Sequence, residues 1–252
     1  MGKKKIYKEL NEDEILESLK TPKTVNYKIQ IKCKNKKQKE FLHRLKDPNK
    51  IICFGIGSAG SGKSYISLAY ALQALQDKET LFDKIVILTP TCEAGAMGIG
   101  FLKGDLEQKM HPYIEADKYT MNKILDNSGN STKGKDIVDH MVQSDKISFE
   151  LVNFARGKTF DNSLILVAEA ENFSKQEMLL LLTRIGENSK IVISGDVEQL
   201  DRKDIKRSNT QCGIEYAINK LRDMEEVSVT EFTNDDIVRN PIISKIIDKW
   251  KE

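Results

Sequence analysis

The chain has 252 residues, of which 31% are charged and 39% hydrophobic, and its formal net charge is +2. This length suits one large α/β domain with a flanking segment, or two small domains, with enough chain to bury a sizeable core. So small a net charge gives no global signal for nucleic acid. Cys33, Cys53, Cys92 and Cys212 lack C-x-x-C spacing and His43, His111 and His140 are scattered, which argues against a zinc site.

Residues 1–25 are polar and lysine-rich, with a basic cluster at Lys3, Lys4 and Lys5, and read as partly disordered. Lys32, Lys34, Lys36, Lys37 and Lys39 form a second cluster, either a solvated surface or a patch facing a polyanion. Residues 26–33 alternate weakly, as a strand does. Phe41, Leu42 and Leu45 fall at helical spacing within residues 35–45, and Asp47-Pro48-Asn49 is a turn. Residues 1–48 therefore read as a basic flank with a short strand and a helix, and residues 49–252 as the main domain.

That domain opens with an apolar strand, Ile51-Ile52-Cys53-Phe54. It is followed by Gly57-Ser58-Ala59-Gly60-Ser61-Gly62-Lys63-Ser64, which fits the phosphate-binding pattern G-x-x-x-x-G-K-[ST]. Glycines let the backbone aim several N–H groups at one anion. Lys63 has the reach for β- and γ-phosphates, and the Ser64 hydroxyl suits Mg²⁺. Tyr65 opens the helical run that follows, whose positive end faces the same phosphates.

Lys84–Thr89 is a buried strand ending at Thr89-Pro90-Thr91, which is either a contact for a sugar–phosphate chain or a plain strand-ending turn. Residues 105–125 read as a helix bent near Pro112, and residues 127–135 as a polar loop. Strands follow at residues 147–152 and 164–167. Ser174 and Glu177 make a capping box before a leucine-rich helix. Residues 190–194 form another buried strand. Residues 211–221 are helical, 227–232 a strand and 241–250 a closing helix. Non-alternating strands separated by helices predict a three-layer α/β/α sandwich with a mainly parallel central sheet.

A nucleotide hydrolase of this layout places an Asp and then a Glu at the end of a buried strand, for the Mg²⁺ shell and the attacking water. Here Ala168 stands first and Glu169 second. Glu171 reads as a helix-entry or surface charge. After the strand at 190–194 comes Ser194-Gly195-Asp196-Val197-Glu198-Gln199. Gln199 is the preferred γ-phosphate sensor and Asp196 the weaker choice. Arg156, Arg184 and Arg239 are candidate sources of positive charge at the γ-phosphate.

In this order the motifs resemble the PhoH-like family of phosphate-starvation-inducible ATPases. The match also takes in Glu93-Ala94-Gly95, Gly100-Phe101-Leu102-Lys103-Gly104-Asp105-Leu106, Arg156-Gly157-Lys158-Thr159, Leu182-Thr183-Arg184-Ile185-Gly186 and Asp236-Ile237-Val238-Arg239-Asn240-Pro241. The resemblance covers roughly residues 35–252 and looks like a stand-alone, phage-type form. It implies a RecA-like P-loop NTPase core related to the first motor domain of superfamily 1 helicases. It further implies ATP and Mg²⁺, a homo-oligomer (most simply a hexameric ring) and RNA or single-stranded nucleic acid as partner. Residue by residue, it makes Lys63, Glu169, Gln199 and Arg239 catalytic and Gln38 an adenine reader, with Arg156 or Arg184 acting on a neighbouring subunit's nucleotide. The departure is Ala168, where the family carries Asp, so nucleotide binding is expected to survive while hydrolysis is slow.

Three functions compete. The first is an ATPase motor or switch on nucleic acid. The second is a small-molecule phosphotransferase, disfavoured because a kinase has no need of the Gly-Asp-x-x-Gln sensor and no arginine-rich lid follows the core. The third is a nucleotide-gated scaffold, which Ala168 favours. No signal peptide or spanning segment is visible, and the expected setting is a reducing cytoplasm without membrane partners.

Overall fold

Apolar β-branched runs without alternation need cover on both faces, and they find it here. The computed structural model describes residues 26–89, 106–197 and 212–238, with Ile242, Ile246 and Lys249 beyond them. Six strands form one sheet: β1 (Ile52–Gly57), β2 (Lys84–Thr89), β3 (Ile147–Leu151), β4 (Ser163–Val167), β5 (Lys190–Gly195) and β6 (Val227–Phe232). Their order is β3-β2-β4-β5-β1-β6, and every pairing is parallel.

Six α-helices are described: α1 (Lys36–Lys46), α2 (Lys63–Ala74), α3 (Leu106–Asp126), α4 (Gly134–Gln143), α5 (Lys175–Leu182) and α6 (Gly213–Leu221). Successive strand residues point to opposite faces, and two core clusters follow from that. Cys53, Ile85, Ile87, Leu164, Leu166 and Val192 pack with α1 to α4 on one face. Phe54, Val86, Leu88, Ile165, Val167, Ile191 and Ile193 pack with α5 and α6 on the other. The chain is therefore a three-layer α/β/α sandwich around a parallel central sheet, the architecture expected. Tyr27, Phe41 and Leu45, ahead of the first strand, belong to the first of these clusters.

Two local expectations are corrected. Residues 26–34 do alternate, with Tyr27 buried and Ile29, Ile31 and Cys33 turned to the core, but they join no sheet. Their amides pair with side chains instead: Lys28 N donates to Asn130 Oδ1 (2.7 Å) and Gln30 N to Ser128 Oγ (3.0 Å). The polar loop after α3 ends sooner than expected, because α4 begins at Gly134. Asp126 Oδ1 accepts from Gly134 N at 2.7 Å, and Ile137, Val138 and Met141 are buried. Pro112 lies inside α3, as expected.

The basic residues Lys3 to Lys5, Cys92 and the Glu93 to Asp105 motifs lie outside the described residues, as does most of the closing helix. Among the described residues, no helix is long and apolar enough to cross a membrane.

Candidate nucleotide site

Parallel strands deliver their C-terminal ends to one edge of the sheet, and β5 lies between β1 and β4. The glycine loop after β1, Glu169 after β4 and Asp196 after β5 therefore meet at one place, where ligands of open α/β sheets gather.

The loop is held by contacts from four directions. Gln38 Nε2 donates to Ser61 O (2.7 Å), and Ala59 N donates to Asp196 Oδ2 (2.9 Å). Ser58 Oγ donates to Asn234 Oδ1 (2.6 Å), and Val238 N donates to Gly60 O (3.1 Å). Gly57 has φ 114°, and a Cβ there would lie 1.9 Å from Phe232 O. The helix α2 starts after Gly62, which provides no side-chain cap. Its first N–H groups lack intrahelical partners, which with the helix dipole makes an anion cradle.

Lys63 is buried at the base of the cradle. Its Nζ donates to Gly57 O (2.5 Å) and Ser58 O (3.0 Å), with Ser61 Oγ at 3.4 Å. Burial lowers the pKa of this ammonium, while Asp196, Glu171 and Glu169 act to raise it. Ser64 is exposed at the start of α2 and Tyr65 half-buried behind it.

Glu169 is exposed just beyond β4. Its backbone is left-handed, with φ 52° and ψ 39°. A glutamate held there is strained, and such strain clusters at working sites. Ala168 presents only a methyl group.

Glu171 overturns its reading as a surface charge, being only 1% exposed. It sits in a short 3-10 turn, Ala170–Asn172, and its Oε2 accepts from Asp196 N at 2.9 Å. Gly195 leaves the room, since a Cβ there would come within 2.8 Å of that same oxygen. Burial first, and then the Glu169 charge, hold the Glu171 carboxyl well above its ordinary 4.5. Asp117 on α3 is also pushed up, to about 6, by burial and by Glu169.

A stability prediction follows from Glu171. The folded state binds its proton more tightly than the unfolded state, so this contribution is full below pH 4.5 and is lost as pH rises above it. Thermal melts are expected to fall as pH rises from 4.5, and Glu171→Gln to flatten that slope. An unchanged slope in the variant would contradict the assignment.

The remaining expected residues divide. Gln38 lines the cavity but is 2% exposed, with both amide ends engaged: Oε1 accepts from Lys34 N (2.7 Å) and Nε2 reaches the loop. Thr89 ends β2 and is buried. Arg156 is exposed in the turn after the 3-10 helix Val152–Ala155. Arg184 is tied back, donating from Nη1 to Lys158 O (3.2 Å). Pro90, Thr91, Gln199 and Arg239 lie outside the described residues.

The cavity over the loop measures about 660 Å³. Its lining includes the acids Glu169, Glu171 and Asp196 and the lysines Lys32, Lys34 and Lys123. The first two lysines belong to the second basic cluster, so part of that cluster faces the cavity. The volume falls within the range of small-ligand sites. Amides and Lys63 suit a polyphosphate, and Glu169 suits the polarisation of a water beside it.

Sequence comparison places these features in a family. The model of the family described as "PhoH-like protein" matches residues 30–251. A "PhoH-like protein" of Mycobacterium tuberculosis (strain ATCC 25618 / H37Rv) is 32% identical over 220 residues, covering 87% of this chain and 58% of that protein. A "PhoH-like protein" of Bacillus subtilis (strain 168) is 31% identical, covering 87% and 64%. "Protein PhoH" of Escherichia coli (strain K12) is 28% identical, covering 86% and 57%. This chain thus spans about three fifths of the length of the curated relatives it matches. Among solved structures, the large terminase of a thermophilic bacteriophage in complex with ADP aligns with a TM-score of 0.49 and 16% identity, over 85% of this chain and 49% of that one. With its family match running from Gln30 through the glycine loop and both strand-end acids to Lys251, the chain belongs to the PhoH-like protein family.

Proposed function

We propose that this chain binds ATP in the glycine-loop cavity and hydrolyses it slowly, as a motor or switch acting on RNA or single-stranded nucleic acid. The observation that carries the reading is the clamped loop with buried Lys63, facing strained Glu169 across the tip of β5. Phosphoryl transfer needs positioning and charge stabilisation more than covalent chemistry. Loop amides and Lys63 hold the phosphates. Glu169 orients the attacking water and accepts its proton. Gln199 senses the γ-phosphate from beyond β5, and Arg239 adds positive charge. Gln38 holds the loop and reads the adenine edge from the same position.

The donors present fit a hydrated Mg²⁺. Among the described residues, no group of three or more His, Cys, Asp or Glu side chains has the geometry to hold a metal. Mg²⁺ does not require one, since it keeps several waters and takes one or two carboxylates plus substrate phosphates. Ser64 would contribute its hydroxyl. When bound, the ion neutralises charge on the β- and γ-oxygens. Ala168 removes the strand-borne carboxylate that would orient that shell, hence slow turnover.

An oligomer completes the site, since a single motor domain lacks the second half of an ATP cleft; a hexameric ring is the proposed form. Exposed Arg156 is free to reach a neighbour's γ-phosphate, whereas Arg184 is committed within its own chain. Ala168 also favours a second reading, a nucleotide-gated scaffold without useful catalysis.

Ala168→Asp is expected to raise the ATP turnover about tenfold or more, equivalent to about 1.4 kcal/mol. Phosphate release assayed with and without single-stranded RNA decides between the readings. Stimulation by polynucleotide in the Ala168→Asp variant supports the motor. ATP-dependent assembly without stimulation supports the scaffold. Equal rates for the two proteins would refute the role given to position 168.

A further inference from the structure

Beneath the start of α2 lies a second, small cavity of about 20 Å³. Its polar wall is Ser64, Ser67, Ser194 and Asp117, with the Ser67 hydroxyl already donating to Lys63 O, and Ala168 lines it beside an apolar floor that includes Leu166 and Val192. Such a volume holds about one water-sized occupant. We propose that Asp117, reaching in from α3, supplies the Mg²⁺-shell carboxylate that strand β4 lacks at Ala168.

The placement of Asp117 on its helix supports this. Met121, Ile124 and Leu125 of α3 are fully buried in the core, and Asp117 lies one turn before Met121 on that same face. Asp117 itself is half-buried at the head of that stripe, and a carboxylate held there is costly without a donor or a cation. Asp117 makes no hydrogen bond or ion pair among the described residues, so none of these repays that cost. Its neighbours in the cavity are the hydroxyl that the loop offers to the metal and the methyl that replaces the usual carboxylate.

The other acids fit the role less well. Glu171 Oε2 is already committed to Asp196 N, and Asp196 Oδ2 to Ala59 N. Glu169 lines the large cavity and not the small one. Asp117 therefore holds the cation beside Ser64 for nucleotide binding, but from α3 rather than from the end of β4 next to Glu169, so turnover stays slow without the strand-borne carboxylate.

This assignment rests on the ATP-binding reading, and the test separates the two. ATP affinity is measured by calorimetry with EDTA and with Mg²⁺, and Mn²⁺ bound alongside ADP is followed by electron paramagnetic resonance. In the unaltered protein Mg²⁺ should tighten ATP binding despite Ala168. Asp117→Asn, and equally Asp117→Ala, should cut that tightening about tenfold, leaving affinity in EDTA unchanged, and should alter the Mn²⁺ spectrum. Adding Ala168→Asp to Asp117→Asn should restore the metal effect and shows that the variant folds. In the Ala168→Asp background the Asp117 change should cost less than about twofold, the non-additivity expected of two groups sharing one role.

An unchanged metal effect in both Asp117 variants overturns the assignment alone. So does an unaltered protein whose ATP binding ignores Mg²⁺. No ATP binding even in EDTA overturns the ATP-binding reading and the assignment together.

Discussion

Lys63→Ala is expected to weaken ATP binding about 100-fold or more, equivalent to about 3 kcal/mol, as read by calorimetry. Two effects act in the same direction. The variant loses the charge-assisted hydrogen bonds that an ammonium makes to phosphate oxygens. It also leaves Glu169, Glu171 and Asp196 around the cradle without the cation on which all three act. A site that attracted a polyanion would then repel it. Lys63→Arg should not rescue binding fully, because a planar fork does not fit between the Gly57 and Ser58 carbonyls as a compact ammonium does. Wild-type affinity in Lys63→Ala would remove the cradle from the site.

Gly57→Ala is expected to destabilise the fold by about 3 kcal/mol or more. The new Cβ would lie 1.9 Å from Phe232 O, and the backbone is at φ 114°. Relief requires β1 and β6 to separate, and these strands pair from Ile52↔Val227 to Gly57↔Phe232. Gly129 supplies the control: its φ is 75°, but nothing lies within 4 Å of an added Cβ. Gly129→Ala carries only the left-handed backbone penalty of about 1–2 kcal/mol. Denaturant titration should therefore rank Gly57→Ala well below Gly129→Ala, and equal midpoints would contradict the steric argument.

Much of this fold was legible because burial on both faces writes itself into sequence as unbroken apolar runs. Lys84–Thr89 forms a strand over the bounds its composition suggests, and β4 and β5 differ from expectation by a residue at an end. The capping box at Ser174 and Glu177 is present, with Glu177 N donating to Ser174 Oγ at 3.2 Å. The glycine loop was legible for another reason: its chemistry constrains residue types at fixed spacing.

What escaped depends on residues far apart in the chain. Burial of Glu171 is created by the space at Gly195 and the amide of Asp196, neither of which marks position 171. Asp117 bore no mark in the helical run 105–125, because the strand tips that enclose it come from elsewhere in the chain. Alternation at 26–33 suggested a strand, yet alternation cannot reveal whether a partner strand exists. The helix α4 did leave a signal, since Ile137, Val138 and Met141 have helical spacing, but it follows directly on a run of polar turn formers.

The way residues 26–34 are fastened has a consequence for the cavity they border. The loop floor is built into the sheet, through Gly57 in β1 and the Asp196 that follows β5, and shares the cooperativity of the whole domain. The Lys32 and Lys34 wall instead hangs from side-chain anchors such as Ser128 and Asn130, and from the amide of Lys34 on Gln38. Detaching that tape costs no rung of the β-ladder. What holds that rim is the apolar seating of Tyr27, Ile29 and Ile31 and the Tyr27 hydroxyl on Leu72 O, so its firmness is set by side-chain packing while that of the phosphate seat is set by the sheet.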